Sequence, residues 1–322
     1  MAWYLLFSKP KFDNTSIVGA MKRFLPLLFI SLLFSACASS SWNGTTSLIH
    51  PMLDGLYDNN PILVNQQFMQ IKRIIDSVYF LHTDTEFKLE DGEVVTAELD
   101  GAGVLIFDKY ILTVNHAVSQ DALQVEMVTP VGIQRMDVPA QKMSEHTYLK
   151  LNDTRIELEE ITKGKEDDIA IFKVPDDLGL NSFPYHIGNS DDLQVGNFLY
   201  VIGNPLNYGI NVREGIVSSM MAPEAIAAIL PRFENAFMIS NGVNPGDSGT
   251  PVIAIRDGHY ELVGLSQGIF TNAQNLSWAI KINPIIKTLD NQVGKMGNPQ
   301  RYRREKISED INRESQARYD PA

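Results

Sequence analysis

The chain has 322 residues and a formal net charge of −12, and 44% of its residues are apolar. This size and composition are typical of a globular protein of one or two domains. The acidic balance gives no support to a nucleic-acid-binding function, which requires a basic face. The single cysteine, Cys37, excludes an intramolecular disulfide.

The first predicted element is a leader over residues 1–37. Met21 begins a short basic segment that is followed by an apolar run over residues 24–34 and by small residues before Cys37. This pattern predicts a signal peptide, with Met21 as a better start than Met1. The run is shorter than the roughly 20 apolar residues of a transmembrane helix. Its end resembles the lipobox of bacterial lipoproteins, which implies lipidation of Cys37; an ordinary signal peptide with an unrelated cysteine is the alternative.

A flexible tether and a short helix are predicted next. Residues 38–64 are rich in Ser, Asn, Gly, Thr and Asp, which is typical of a linker. Phe68, Ile71 and Ile74 recur at helical spacing and predict a helix over Val64–Val78.

From Gly101 onward the chain consists of short apolar runs separated by turn residues. The predicted strands are Gly103–Phe107, Tyr110–Val114, Leu123–Val128, Arg155–Ile161, Ile169–Val174, Phe198–Ile202, Gly215–Met220, Phe237–Ser240, Val252–Ile255, Leu262–Ile269 and Ser277–Ile282. Many short strands at close intervals indicate an all-β barrel or sandwich. A helical insertion is predicted at Ala222–Leu230, a closing helix at Pro284–Val293 and a charged tail over residues 294–322.

Three segments supply the side chains of a nucleophilic triad. His116 ends an apolar strand, Asp168 opens another, and Ser248 lies in a Gly-Asp-Ser-Gly turn. The order His, Asp, Ser is that of the chymotrypsin arrangement rather than of subtilisins or α/β-hydrolases. His116 would accept the proton of Ser248, and Asp168 would hold the imidazole tautomer. Asp167 is the alternative to Asp168, and the other histidines are interpreted as structural.

The remaining site residues follow from the nucleophile turn. The backbone N–H groups of Gly246 and Ser248 are predicted to stabilise an oxyanion. Gly242, Gln267 and Gly268 are predicted to line the substrate pocket, and the absence of an acidic residue there favours a small or medium apolar P1 residue. Neither the cysteine count nor the histidine spacing supplies a metal cage, so no metal or cofactor is expected.

Further motifs resemble those of HtrA/Deg-type trypsin-like serine proteases over roughly residues 65–293. They are Gly101–Val104, Ile111–Val118, Gly188–Leu193, Val201–Pro205, Glu214–Ser218 and Asn244–Gly249. The resemblance implies a protease domain of two six-stranded antiparallel β-barrels with a short N-terminal helix and a C-terminal helix. It also implies protein or peptide substrates, quality control of misfolded proteins in the bacterial envelope, and a homotrimer.

Three departures from the family pattern stand out. Only 29 residues follow Val293, fewer than the roughly 50 of a minimal domain, so the family's usual PDZ domain is not expected. Asp247 replaces the usual Asn. In digestive relatives such an aspartate pairs with a new N-terminal amine, so Asp247 is expected to have another partner here. The segment Ser266–Ile269 differs from the family's Asn-Thr-Ala-Ile strand and leaves subsite preference open.

The sequence therefore predicts a serine endopeptidase in the form of a periplasm-facing lipoprotein of the outer membrane. The lipid on Cys37 would anchor it, and Ala38 after the cysteine favours the outer membrane by the resemblance to lipoproteins. Two alternatives stay open: a non-proteolytic, chaperone-like binder that retains the fold, and an esterase with the same triad.

Overall fold

The computed structural model describes residues 54–61, 70–129, 132–152, 154–224, 226, 230–270 and 274–294. The predicted leader, including Cys37, and the predicted C-terminal tail beyond residue 294 lie outside these ranges. Within them, no helix is long and apolar enough to cross a membrane.

Most of the described chain is β-structure. The strands are β1 (Val78–Leu89), β2 (Val94–Ile106), β3 (Tyr110–Val114), β4 (Leu123–Thr129), β5 (Gly132–Val138), β6 (Ala140–Leu151), β7 (Thr154–Glu157), β8 (Glu159–Gly164), β9 (Ile169–Lys173), β10 (His186–Ile187), β11 (Phe198–Gly203), β12 (Asn211–Ser219), β13 (Ala236–Ile239), β14 (Pro251–Arg256), β15 (His259–Ile269) and β16 (Ser277–Lys281). The helices are α1 (Ile71–Ile75) and α2 (Ile282–Val293).

The first sheet closes into a six-stranded barrel, in which β7 and β8 together act as one bent strand. Its order is β7-β6-β1-β2-β3-β9-β8, with every pair antiparallel. The two edge strands, β7 and β8, are separated only by Leu158, whose N–H donates to the carbonyl of Thr147 over 2.9 Å. Residues 154–164 therefore pair with β6 at one end and with β9 at the other. The hairpin β4-β5 forms a separate two-stranded sheet.

The second sheet closes by direct pairing. Strands β14, β11, β12, β13, β16 and β15 follow one another, and β15 also pairs with β14. The two-residue strand β10 adds to β15 in parallel. The predicted all-β fold of two six-stranded barrels with a short N-terminal helix and a C-terminal helix is thus confirmed.

Apolar side chains fill each barrel and the space between them. Leu105, Ile111 and Phe172 belong to a cluster of first-barrel residues. A second cluster consists mainly of residues from the second barrel, among them Leu199 and Val252. A third contains residues of both barrels and of α2. Ile111 on β3 belongs to the first cluster, whereas its neighbours Tyr110 and Leu112 belong to the third, so apolar side chains cover both faces of this strand.

The described part of the predicted tether is docked on the second barrel. The N–H of Asp58 donates to Ile255, and Tyr57 forms an antiparallel bridge with Arg256. Tyr57 is 5% exposed, and its hydroxyl donates to Glu261 over 2.8 Å. Burial and the charge of Glu261 raise the pKa of the Tyr57 hydroxyl well above its usual range.

The helices differ from their predicted bounds. In place of a helix over Val64–Val78, α1 spans five residues, and Val78 already begins β1; residues 62–69 lie outside the description. Helix α2 begins two residues before its predicted start and ends at Val293 as predicted. Residues 225 and 227–229 of the predicted insertion Ala222–Leu230 lie outside the described residues.

Candidate active site

His116 lies in a 3₁₀ turn, Asn115–Ala117, directly after β3. The N–H of Val118 donates to Asn115 and closes the turn. The buried strand β3 fixes the position of this turn, because all five of its residues are buried. The imidazole of His116 is held at the end of the first barrel, facing the loop that carries Ser248.

Asp168 contacts His116 with both carboxylate oxygens. Its Oδ2 lies 2.7 Å from Nδ1 of the ring, and its Oδ1 accepts from the His116 backbone N–H over 2.8 Å. The backbone of Asp168 has φ 53°, a left-handed conformation that Asp tolerates better than most residues. Asp167, the alternative in the sequence, instead contacts Arg232 and Asn235. The structure brings Asp168, and not Asp167, to the histidine.

Ser248 lies in the loop between β13 and β14, on the second barrel. Its Oγ is 2.9 Å from Nε2 of His116. The carboxylate at Nδ1 favours a proton on that nitrogen and leaves Nε2 free to accept the serine proton. Gly249 has φ 86°, and a Cβ atom there would overlap the carbonyl of Ala102 and the side chain of Thr113. The loop therefore approaches the first barrel so closely that only a glycine fits at this position.

The two predicted oxyanion donors are close together in this loop. Gly246 has φ 95°, which suits glycine. Within the described part of the chain, no protein acceptor contacts the N–H groups of Gly246 and Ser248. Both groups are available to a ligand oxygen.

The predicted pocket residues have different surroundings. Gln267 donates from its side-chain amide to Oδ2 of Asp168 over 2.9 Å. Gly268 lies under the ring of Trp278, which a Cβ atom would overlap. The carbonyl of Gly242 accepts from Arg213 over 2.5 Å. Sequence reasoning had assigned Gln267 to the pocket alone and missed its contact with Asp168.

A cavity of about 290 Å³ lies beside the triad. Its lining residues are Asn115, His116, Ser119, Asp121, Lys165, Asp168, Leu230, Gln267 and Trp278. Gln267 thus both contacts Asp168 and lines this cavity, whereas Gly242 and Gly268 are not among its lining residues. Leu230 and Trp278 supply apolar surface, and Lys165 forms an ion pair with Asp121.

Glu145 supports the segment that follows His116. Its carboxylate accepts from Ser119 Oγ over 2.9 Å and from the Gln120 N–H over 3.3 Å. Burial opposes ionisation of this group, but hydrogen bonds from Lys142 and Lys163 outweigh it and lower the pKa of Glu145 to about 2. This charge network ties the His116 turn to β6 and β8.

Asp247 has the partner that the sequence led us to expect. Its side chain is fully buried and forms two hydrogen bonds with the guanidinium of Arg213, of 2.6 and 2.7 Å. Arg213 is a residue that sequence reasoning missed, because nothing in β12 marks it apart from other surface arginines.

One cluster among the described residues has side chains of the metal-ligand type. His82, Asp84 and Glu98 lie together on the first barrel. Both ring nitrogens of His82 already contact carboxylates at 2.8 Å, those of Asp84 and Asp100. These contacts account for the cluster as a hydrogen-bonded network, to which Lys150 and Arg155 also donate.

A family model described as a trypsin-like peptidase domain matches residues 101–265. The match covers just over half of the chain and includes His116, Asp168 and Ser248. The chain belongs to the trypsin-like peptidase family.

Relatives of this trypsin-like peptidase carry protease names. "Probable periplasmic serine endoprotease DegP-like" of Pseudomonas fulva (strain 12-X) is 29% identical over 196 residues, which are 59% of this chain and 34% of the relative. "Protease Do-like 5, chloroplastic" of Arabidopsis thaliana is 25% identical over 227 residues, 66% of this chain and 65% of the relative. The chain spans only 30–34% of the length of two DegP-like bacterial relatives.

The fold of the trypsin-like peptidase also resembles a solved structure. That of "HtrA-type protease AlgW with decapeptide" superposes with a TM-score of 0.50 at 20% identity, covering 70% of this chain and 67% of that one. At this identity the likeness concerns the fold alone. The family and fold agree with the HtrA/Deg resemblance of the sequence motifs.

Proposed function

We propose that the chain is a serine endopeptidase that cleaves misfolded or unfolded proteins in the bacterial cell envelope. One observation carries the proposal: the ring of His116 lies between Asp168 and Ser248, at 2.7 and 2.9 Å. This is the geometry in which a histidine removes a proton from a serine hydroxyl while a carboxylate stabilises the resulting imidazolium.

Each residue has a defined step in the proposed reaction. Ser248 Oγ attacks the scissile carbonyl carbon as its proton passes to His116 Nε2. The N–H groups of Gly246 and Ser248 donate to the oxyanion. His116 then protonates the leaving amine, and an acyl-enzyme remains on Ser248. In the second half, water attacks this ester as its proton passes to His116, and His116 returns that proton to Ser248 Oγ as the acid is released.

The proposed substrate is a polypeptide in extended form with a small or medium apolar P1 residue. Leu230 and Trp278 give the cavity beside the triad an apolar part that can accept such a side chain, and the Asp121 carboxylate that also lines it is paired with Lys165. Peptide esters that differ only in Val or Lys at P1 test this preference. A higher kcat/KM for the Lys ester would contradict it.

The proposed location is the periplasmic face of the outer membrane, with Cys37 lipidated. The motif around Cys37 and the periplasmic names of the bacterial relatives support it. Incorporation of a labelled fatty acid into the wild type and its loss in Cys37→Ser test the anchor. A homotrimer is also proposed from the HtrA/Deg resemblance; sedimentation of the purified protein tests it.

The decisive test of the activity is labelling with a fluorophosphonate probe. Wild type is expected to be labelled and Ser248→Ala is not. Digestion of casein by the wild type, and not by Ser248→Ala, then distinguishes a protease from an esterase. An unlabelled wild type, also in the presence of unfolded protein, would favour the chaperone-like binder and overturn the proposal.

A further inference from the structure

Asp247 is a fully buried charge directly before the nucleophile. It lies between the two residues that carry the oxyanion donors, Gly246 and Ser248, and its side chain is 0% exposed. A buried carboxylate without a partner destabilises the fold, because it loses its hydrogen bonds to water and gains none from the protein. The conformation of this loop therefore depends on whatever neutralises Asp247.

The neutralising group is Arg213 on β12. Its two terminal nitrogens donate to the two carboxylate oxygens at 2.6 and 2.7 Å, the bidentate geometry that gives the strongest pairing. Nη1 also donates to the carbonyl of Gly242. The guanidinium thus contacts the loop at two points, residues 242 and 247, before the nucleophile.

Two further features of the backbone accommodate the pair of Asp247 and Arg213. The N–H of Asn244 donates to Oδ2 of Asp247 over 2.7 Å. On the opposite side, a Cβ atom on Gly203 would overlap Oδ1 of Asp247 and crowd Arg213, so the glycine leaves the space that the pair occupies. The pair is accommodated by the surrounding backbone rather than added to a surface.

From these contacts we infer that Arg213 is a positioning residue for the oxyanion hole. By fixing the side chain of Asp247, it fixes the two peptide groups on either side and keeps the N–H groups of Gly246 and Ser248 directed at the substrate. The cation comes from within the protease fold itself. The loop therefore needs neither a bound ligand nor a newly cut N-terminus to adopt this shape. The inference rests on the proposed peptidase function.

The test compares Arg213→Met, Asp247→Asn and the double variant with wild type. Arg213→Met leaves the buried carboxylate unpaired, so we expect kcat to fall about 100-fold with little change in KM, as for loss of an oxyanion donor. Asp247→Asn alone lowers kcat less. The double variant regains at least about tenfold of the kcat lost in Arg213→Met, because the unpaired charge is gone.

A matched control and a second readout separate positioning from general stability. Arg155→Met removes an exposed first-barrel arginine that pairs with Asp84, and it is expected to keep the wild-type kcat. Amide hydrogen exchange of residues 243–249 is expected to be faster in Arg213→Met than in wild type. If Arg213→Met does not fold, Arg213→Lys, which keeps the charge but loses the fork, replaces it. A smaller loss of kcat with faster exchange of residues 243–249 is then expected, and Asp247→Asn should not relieve it, because the ammonium would lose its carboxylate.

The outcomes are distinct. Wild-type kcat and wild-type exchange in the Arg213 variant would overturn the inference and leave the proposed function intact. A loss of kcat in Arg213→Met that Asp247→Asn does not relieve would also overturn it. A wild type that hydrolyses nothing, together with faster loop exchange in the Arg213 variant, would contradict the proposed function and support only the part of the inference that says Arg213 positions the loop.

Discussion

The side-chain amide of Gln267 donates to Oδ2 of Asp168, the same oxygen that contacts Nδ1 of His116. Asp168 therefore receives hydrogen bonds from both barrels, since Gln267 lies on β15 and His116 follows β3. This contact gives the oxygen that orients the imidazole a second hydrogen-bond donor.

Loss of the Gln267 amide is expected to slow catalysis. A hydrogen bond to a charged group contributes about 1.5–3 kcal/mol, so Gln267→Leu should lower kcat by about tenfold or more. Steady-state kinetics with a peptide ester measures the change. Gln124→Leu is the matched control, because Gln124 donates to Asp137 over 2.9 Å in the β4-β5 hairpin, away from the triad. Equal kcat values for the two variants would refute this role of Gln267.

The adjacent carboxylates, Asp167 and Asp168, should differ sharply on substitution. Asp168→Asn is expected to lower kcat by about 10⁴-fold, because the amide no longer holds the histidine tautomer. Asparagine also tolerates the left-handed backbone at this position, so the fold should be kept. Asp167→Asn affects only the contacts with Arg232 and Asn235 and should leave kcat near wild type. A larger loss of kcat in Asp167→Asn than in Asp168→Asn would contradict this assignment.

The Glu145 network predicts a pH-dependent stability. Because the pKa of Glu145 is lowered from 4.5 to about 2, its contribution is fully present above pH 4.5 and is lost as the pH falls towards 2. Glu145→Gln should reduce the free energy of unfolding by about 1–3 kcal/mol at pH 7 and by less at pH 3. Urea unfolding at both pH values measures this difference. Glu159→Gln, which loses a more exposed pair with Lys173, is the control; a Glu145 effect that does not shrink at pH 3 would contradict the argument.

The docked segment at Tyr57 should contribute measurably to stability. Tyr57→Phe removes the bond to Glu261 and leaves a buried carboxylate with one donor fewer, which should cost about 1–2 kcal/mol in thermal or urea unfolding. The guanidinium of Arg256, 3.9 Å from the ring centroid, remains stacked on the phenyl ring. Tyr208→Phe, at a side chain that is 84% exposed, is expected to change nothing. Equal losses in both variants would mean that the Tyr57 hydroxyl is not a stabilising contact.

Sequence reasoning worked best where local chemistry is distinctive. A Gly-Asp-Ser-Gly turn and a histidine at a strand end are readable without neighbours, and the structure brings both residues within hydrogen-bond distance. Strands β3, β9 and β14 were also predictable, because burial on both faces makes them predominantly apolar, with Thr113, Lys173 and Arg256 as the exceptions.

Two of the strands that the sequence did not predict, β1 and β6, have polar side chains inside the barrel. β1 and β6 were not predicted, since Thr83 and Thr147 are buried and bond to each other over 3.0 Å. The two hydroxyls find their hydrogen-bond partner only when the strands pair. Because threonine is polar, these positions do not produce the alternation of apolar and polar residues that marks a strand in the sequence. The contacts of Arg213 and Gln267 could not be predicted from the sequence for a related reason. Their partners, Asp247 and Asp168, lie 34 and 99 positions away along the chain.

The docking of Tyr57 has a consequence for the order of events on the ribosome. Its partner Glu261 lies 204 positions further along the chain, so residues 54–61 leave the exit tunnel long before their binding surface has been made. The strands of the first barrel are complete in the meantime. Closing so long a loop is entropically costly until the second barrel has formed. The segment is therefore expected to be among the last parts to settle, and a nascent chain stalled before residue 261 should still expose Tyr57 to protease.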